Sequence, residues 1–176
     1  MGFIKIVSQM YKKFSNSIIS LCLIACLVFS LGACKQVDLY ERLENVPKSE
    51  WQSSFQPSFT FNISDTISLY DVFITIRHTN NYAYNNIWLE PTLQLPGDSA
   101  TTQQTELHLA NNDGWIGTGM DDIFETRAKV TATPQHFKRS GPVTIKLKQI
   151  MRVDPLPGIL QVGVRVERVG KKEPNS

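Results

Sequence analysis

Alternation of apolar and polar residues at a period of two constrains this chain more than any other feature. Phe55, Pro57, Phe59, Phe61 and Ile63 alternate with Gln56, Ser58, Thr60 and Asn62, the pattern of a strand with one buried face. Pro57 has no N–H to give to a neighbour, which puts that strand at a sheet edge. Leu69 to Arg77 sets Tyr70, Val72, Ile74 and Ile76 against Asp71, Thr75 and Arg77, before an Asn-rich turn over His78 to Asn81. Ile87 to Leu95 reads as a third strand burying Ile87, Leu89, Leu93 and Leu95, closed by turn chemistry at Pro96 to Asp98. Glu106 to Ala110 and Ile123 to Ala132 are weaker candidates. Val143 to Met151 alternates strongly, and Leu160, Val162, Val164 and Val166 form the inward side of a last strand. From Trp51 onward no window keeps a 3.6-residue period over three turns. The expectation is an all-β domain, an antiparallel β-sandwich or jelly roll built from about seven short strands.

The first 33 residues follow a different logic. Lys5, Lys12 and Lys13 precede an apolar run from Ile18 to Ala33, the charge order of a secretory signal. As a helix that run covers about 24 Å, short of the roughly 30 Å hydrocarbon layer, so cleavage is expected rather than a permanent span. The run ends in Leu31-Gly32-Ala33-Cys34, which resembles the bacterial lipobox, where a thiol receives a diacylglycerol and a peptidase cuts before it. Leu23-Ile24-Ala25-Cys26 fits the same pattern. Cutting there would leave only about seven apolar residues in the signal, so Cys34 is the preferred acceptor.

Four segments follow from this reading: a removed signal peptide at 1–33, a lipidated N-terminus and tether at 34–50, the β-sandwich at 51–170 and a polar tail at 171–176. The chain has 3 Cys, and two of them leave with the signal. The third is acylated, so the core must stabilise the fold without a disulfide.

Charge gives no strong field. The whole chain carries 18 Lys and Arg against 16 Asp and Glu, and three of those lysines are in the signal. The mature part is therefore nearly neutral, which argues against nucleic acid as a partner.

Reactive residues do not assemble into a recognisable site. The Gly-rich stretch Asn111 to Gly119 lacks the Lys-Ser/Thr pair of a phosphate loop and continues into Met120-Asp121-Asp122. It reads as a wide turn that lets Trp115 fold over a sheet, and its acids match no regular calcium loop. His78, His108 and His136 are too far apart for local zinc ligation and are expected at the surface or in turns. No catalytic residue, metal or cofactor is expected. Lys146, Lys148 and Arg152, with Arg165 beside them, read as a solvated face. The remaining candidate is an aromatic surface of Tyr82, Tyr84, Trp88 and Trp115, suited to a protein interface or to stacking on polysaccharide.

Several motifs occur in a particular order: DVFITIRHTNNYAYNNIWL at 71–89, DGWIGTG at 113–119 with DDI at 121–123, QIMR at 149–152, LPGI at 156–159 and VGVRVE at 162–167. In that order and spacing the mature chain resembles the gliding motility lipoprotein GldH family. The resemblance implies a lipid-anchored protein of the cell envelope, associated with gliding or related envelope machinery and working through envelope protein partners. Only Cys34 carries over as a functional residue, through the lipobox. Lys35 after Cys34, by analogy with other lipoproteins, favours the outer membrane. A glycan-binding β-sandwich on the envelope is the alternative.

Overall fold

The computed structural model of the chain describes residues 40–171. Its strands are β1 (Tyr40–Asn45), β2 (Glu50–Trp51), β3 (Ser58–Ile63), β4 (Ser68–Thr79) and β5 (Asn86–Leu89). Then come β6 (Thr92–Gln94), β7 (Thr101–Thr102), β8 (Thr105–His108), β9 (Ala110–Asn111) and β10 (Gly114–Trp115). The last are β11 (Thr118–Met120), β12 (Ile123–Lys129), β13 (Gly141–Lys146), β14 (Leu156–Pro157) and β15 (Ile159–Lys171). A single 3₁₀ turn, Pro47–Ser49, separates β1 from β2.

All pairings are antiparallel, and two sheets dominate. The first has the order β1-β15-β4-β12-β11, with the two longest strands inside it. There Val162, Val164 and Val166 of β15 oppose Ile76, Ile74 and Val72 of β4, and all six are buried. Each such side chain removed from water contributes about 1.5–3 kcal/mol, which makes this pair the spine of the domain. The second sheet has the order β3-β13-β6-β7, with Phe59, Phe61 and Ile63 facing Val143 and Ile145 across the β3–β13 ladder. β3 lies at its edge, as Pro57 predicts.

The inner faces of the two sheets meet. Tyr40 of β1 packs on Phe61 of β3 with ring centres 5.3 Å apart, and Phe137, from the loop before β13, bridges Phe61 and Tyr70. One continuous core results, so the fold is an antiparallel β-sandwich.

Three expectations need correction. Residues 40–50 are not tether: β1 pairs with β15 along its whole length, and Val46 behind it is buried. The polar character of β1 misleads because Glu41 is neutralised by Arg165 and Arg127, two residues distant in sequence. At the other end β15 runs through Lys171, while 1–39 and 172–176 lie outside the described residues. Second, the strand expected over Ile87 to Leu95 is two. Pro91 has no N–H for a ladder, its carbonyl accepts from Gln103, and the chain passes from β5, paired with β8, to β6, paired with β13. Third, Arg165 is not beside Lys146 and Lys148. It lies on the other sheet, bonded to Glu41 and Glu167, while Lys148 pairs with Glu90 at 3.0 Å.

Candidate functional site

Cys34 lies outside the described residues. The four aromatic candidates fall into two groups. Trp88 is on the outward side of β5, 40% exposed, opposite Glu106 of β8. Tyr82, Tyr84 and Trp115 gather instead at the end of the sandwich where β4 finishes. Among the described residues Trp88 makes no ring contact with that group, so no single platform of four rings exists. Tyr82 is itself buried, its hydroxyl donating to the Asn86 carbonyl at 2.9 Å, and burial pushes its phenol well above the usual range.

The centre of this group is a residue expected at the surface or in a turn. His78 is fully buried at the inner side of β4. Its ring is 4.4 Å from Trp115, 5.5 Å from Tyr82 and 5.8 Å from Phe124, centre to centre. Nδ1 bonds the Thr79 carbonyl at 3.0 Å, while Nε2 meets no hydrogen-bond partner among the described residues. Burial lowers the imidazole pKa, and the Thr79 carbonyl opposes that only in part. The cage is closed by the turn read from the Gly-rich stretch: β9 and β10 form a hairpin that carries Trp115 over His78. Gly117 then takes a positive φ and passes so close to β12 that a Cβ would lie 2.0 Å from the Glu125 carbonyl oxygen. The other histidines are elsewhere, His108 exposed on β8 and His136 against the Thr66 carbonyl.

The outward face of the five-stranded sheet is covered by ion pairs. Arg127 reaches Glu125 at 2.9 Å and Glu41 at 3.2 Å, Lys129 reaches Asp71 at 2.7 Å, and Arg77 holds Glu125 and Gln161. Opposite charges alternate there, so the face presents little net field to a partner. Toward the end of this face where β1 finishes, a groove of about 640 Å³ opens. Asn45, Val46, Lys48 and Ser49 form one wall, Thr118 to Met120 with Ile123 the other, and Arg77, Glu125 and Gln161 the floor. Lys48 and Ser49 in the first wall both have φ of 56°, an arrangement that costs non-glycine residues on the order of 1 kcal/mol or more each. In the second wall, Met120 and Ile123 face each other across the β11–β12 hairpin, 79% and 46% exposed. In the sequence Ile123 reads as the start of an ordinary strand, and Met120 as the continuation of a turn. The available signal was two large apolar residues flanking the two-residue acidic turn Asp121-Asp122.

A family model described as GldH lipoprotein matches residues 38–166, which takes in both sheets as far as Val166 within β15. The chain belongs to the GldH lipoprotein family. The GldH match begins two residues before β1, in accord with that strand being part of the folded body. Among relatives, the gliding motility lipoprotein GldH of Flavobacterium johnsoniae is 29% identical over 156 residues, covering 84% of this chain and 94% of the relative. A gliding motility lipoprotein GldH homolog of Christiangramia forsetii is 26% identical over 149 residues, covering 80% of this chain and 90% of that one. Among solved structures, a carbohydrate-binding module specific for non-crystalline cellulose aligns over 75% of this chain and 74% of its own, at 12% identity and a TM-score of 0.44. At that level the likeness supports no statement about ligand.

Proposed function

We propose that this chain is a noncatalytic lipoprotein of the cell envelope, held by acyl chains on Cys34 and acting in gliding or related envelope machinery through contacts with other envelope proteins. The observation that carries the reading is the lipobox Leu31-Gly32-Ala33-Cys34 immediately ahead of a domain matched by a lipoprotein family. Each buried CH₂ contributes about 0.8 kcal/mol, so one chain binds reversibly whereas two or more hold the protein firmly. Lys35 in the position after Cys34 favours outer-membrane placement.

The groove between Lys48 and Met120 is the contact surface the geometry favours. It is at the end of β1 opposite Tyr40, the residue where the strand begins, and its charged floor is internally paired. A neutral, partly apolar protein segment suits it, with Met120 and Ile123 as the apolar anchors. The glycan-binding alternative loses ground because Tyr82 is buried and Trp88 stands apart from Tyr84 and Trp115.

Replacing Cys34 with Ala tests the anchor: the variant is expected to take up no labelled palmitate and to keep residues 1–33. Retention in the membrane with undiminished label would refute the assignment. A photocrosslinker in place of Met120, compared with one in place of Trp88 in intact cells, tests the contact. Protein adducts are expected from Met120. Adducts only from Trp88, or only with polysaccharide, would remove the groove from consideration.

A further inference from the structure

The register of β1 against β15 shows at which end of the sandwich the chain enters from Cys34. β1 begins at Tyr40, opposite Val166, and from there β15 and β4 continue together to Lys171 and Ser68. At about 3.3 Å per residue this two-stranded ribbon overshoots the start of β1 by about 17 Å. Five residues, 35–39, separate Cys34 from Tyr40, and even a fully extended chain spans no more than about 21 Å between those two. The reach of the leash is thus close to the overshoot of the ribbon. A surface that holds Cys34 is therefore within reach of the ribbon tip.

That tip is apolar and preformed. Ile67, just before β4, is 64% exposed, and Val169, near the end of β15, is 47% exposed. Asp65 holds the turn that presents Ile67: its carboxylate accepts from the Ile67 N–H at 2.9 Å, the Ser68 N–H at 3.0 Å and the Ser68 hydroxyl at 2.7 Å. The Tyr70 hydroxyl donates to the Asp65 carbonyl at 2.7 Å, and the His136 ring bonds the Thr66 carbonyl. Val169 is the unpaired residue of a bulge between Arg168 and Gly170, a device that re-aims a side chain at a sheet end. Arg168 beside it is half-exposed, its nearest carboxylate, Asp65, 3.9 Å away. Single exposed apolar residues are ordinary on protein surfaces. Here two lie at one end, one of them held out by a turn with five hydrogen bonds, and both at the end that the leash can bring to the lipid.

We propose that Ile67 and Val169 enter the interfacial layer of the bilayer that receives the acyl chains of Cys34, with Arg168 at the headgroup phosphates, so that the sandwich stands with its groove turned away from the membrane. This inference rests on the anchor reading above. Because the turn is ordered beforehand, insertion costs little conformational entropy, and because the lipid on Cys34 keeps the tip close, weak contacts suffice.

The test uses the full mature lipoprotein in phosphatidylethanolamine vesicles containing lipid brominated on its acyl chains. An environment-sensitive fluorophore is attached in turn at Ile67→Cys, Val169→Cys and, in the β9–β10 hairpin at the far end, Asp113→Cys. Bromine is expected to quench the first two about twofold or more and to leave the third unchanged, as apolar insertion at one end requires. Flotation with vesicles is scored in parallel for each variant and for Cys34→Ala. If the labelled proteins float but the tip is quenched no more than the hairpin, anchoring stands and the docking face is overturned. If Cys34→Ala with residues 1–33 removed floats as well as the natural chain, the anchor reading fails, and the inference fails with it.

Discussion

The indole of Trp115 meets the imidazole of His78 edge to face, ring centres 4.4 Å apart, while its N–H donates to Asn80 Oδ1 at 2.8 Å. Those two contacts tie the β9–β10 hairpin to the end of β4 and close one end of the core.

Trp115→Ala should therefore cost about 2–3 kcal/mol, somewhat less than a fully buried Trp because its outer edge is wet. Trp88→Ala, which uncovers no comparable cage, should stay within about 1 kcal/mol. Urea unfolding followed by circular dichroism distinguishes them, and equal losses would show that Trp115 does not seal the core.

Burial of His78 carries a pH signature. Its folded pKa is lowered from 6.5, so below that value the unfolded chain binds the proton that the folded one refuses. Stability is then full above about pH 7 and declines as pH falls through about 6.5 toward the lower folded value. His78→Leu should flatten this decline between about pH 7 and pH 5, read from urea midpoints at each pH. An unchanged slope would mean the ring is protonated at no cost.

Asp65 acts in a more acidic window. The Ser68 hydroxyl first, then the Ile67 and Ser68 amides, hold its carboxyl down at about 2 against an ordinary 3.8. The unfolded chain takes up the proton first, so this contribution is present above about pH 4 and is lost as pH falls toward 2. Asp65→Asn should lack that acid-induced loss and should speed hydrogen exchange at the Ile67 and Ser68 amides. If exchange there is as slow as in the natural chain, the carboxylate is not what orders the turn.

Gly163 tests the seating of β1. A Cβ at this position would lie 2.4 Å from the Arg42 carbonyl oxygen and 3.0 Å from the Leu43 side chain, whereas one at Gly170 would meet nothing within 4 Å. Gly163→Ala should cost about 2 kcal/mol or more and expose the β1 amides to exchange, while Gly170→Ala stays within about 0.5 kcal/mol. Equal stability of the two would mean that β1 is not packed as described.

How far the sequence could be read followed the range of the forces involved. Alternation is a local signal, so β3, β4, β13 and β15 were legible from Phe59, Ile74, Val143 and Val164 alone. β1 was not, because Glu41 makes sense in a strand only once Arg165 and Arg127 are beside it. His78 looked like part of a turn because nothing in its neighbours announces that Trp115, 37 positions later, folds over it. Tyr82, Tyr84 and Trp88 are near in sequence, yet the chain carries Trp88 off on β5 and tucks Tyr82 under the hairpin.

The sequence by itself determined that this chain makes one-sided strands, that Leu31-Gly32-Ala33-Cys34 resembles a lipobox and that the chain resembles GldH lipoproteins, since each of these is written in short local runs and their order. Only the tertiary structure decided which aromatic rings reach solvent, where Met120 and Ile123 form a groove wall, and which end of the sandwich carries Ile67 and Val169. Pairing between strands distant in the chain makes those decisions, because exposure depends on what packs against a side chain, and period alone does not encode that partner.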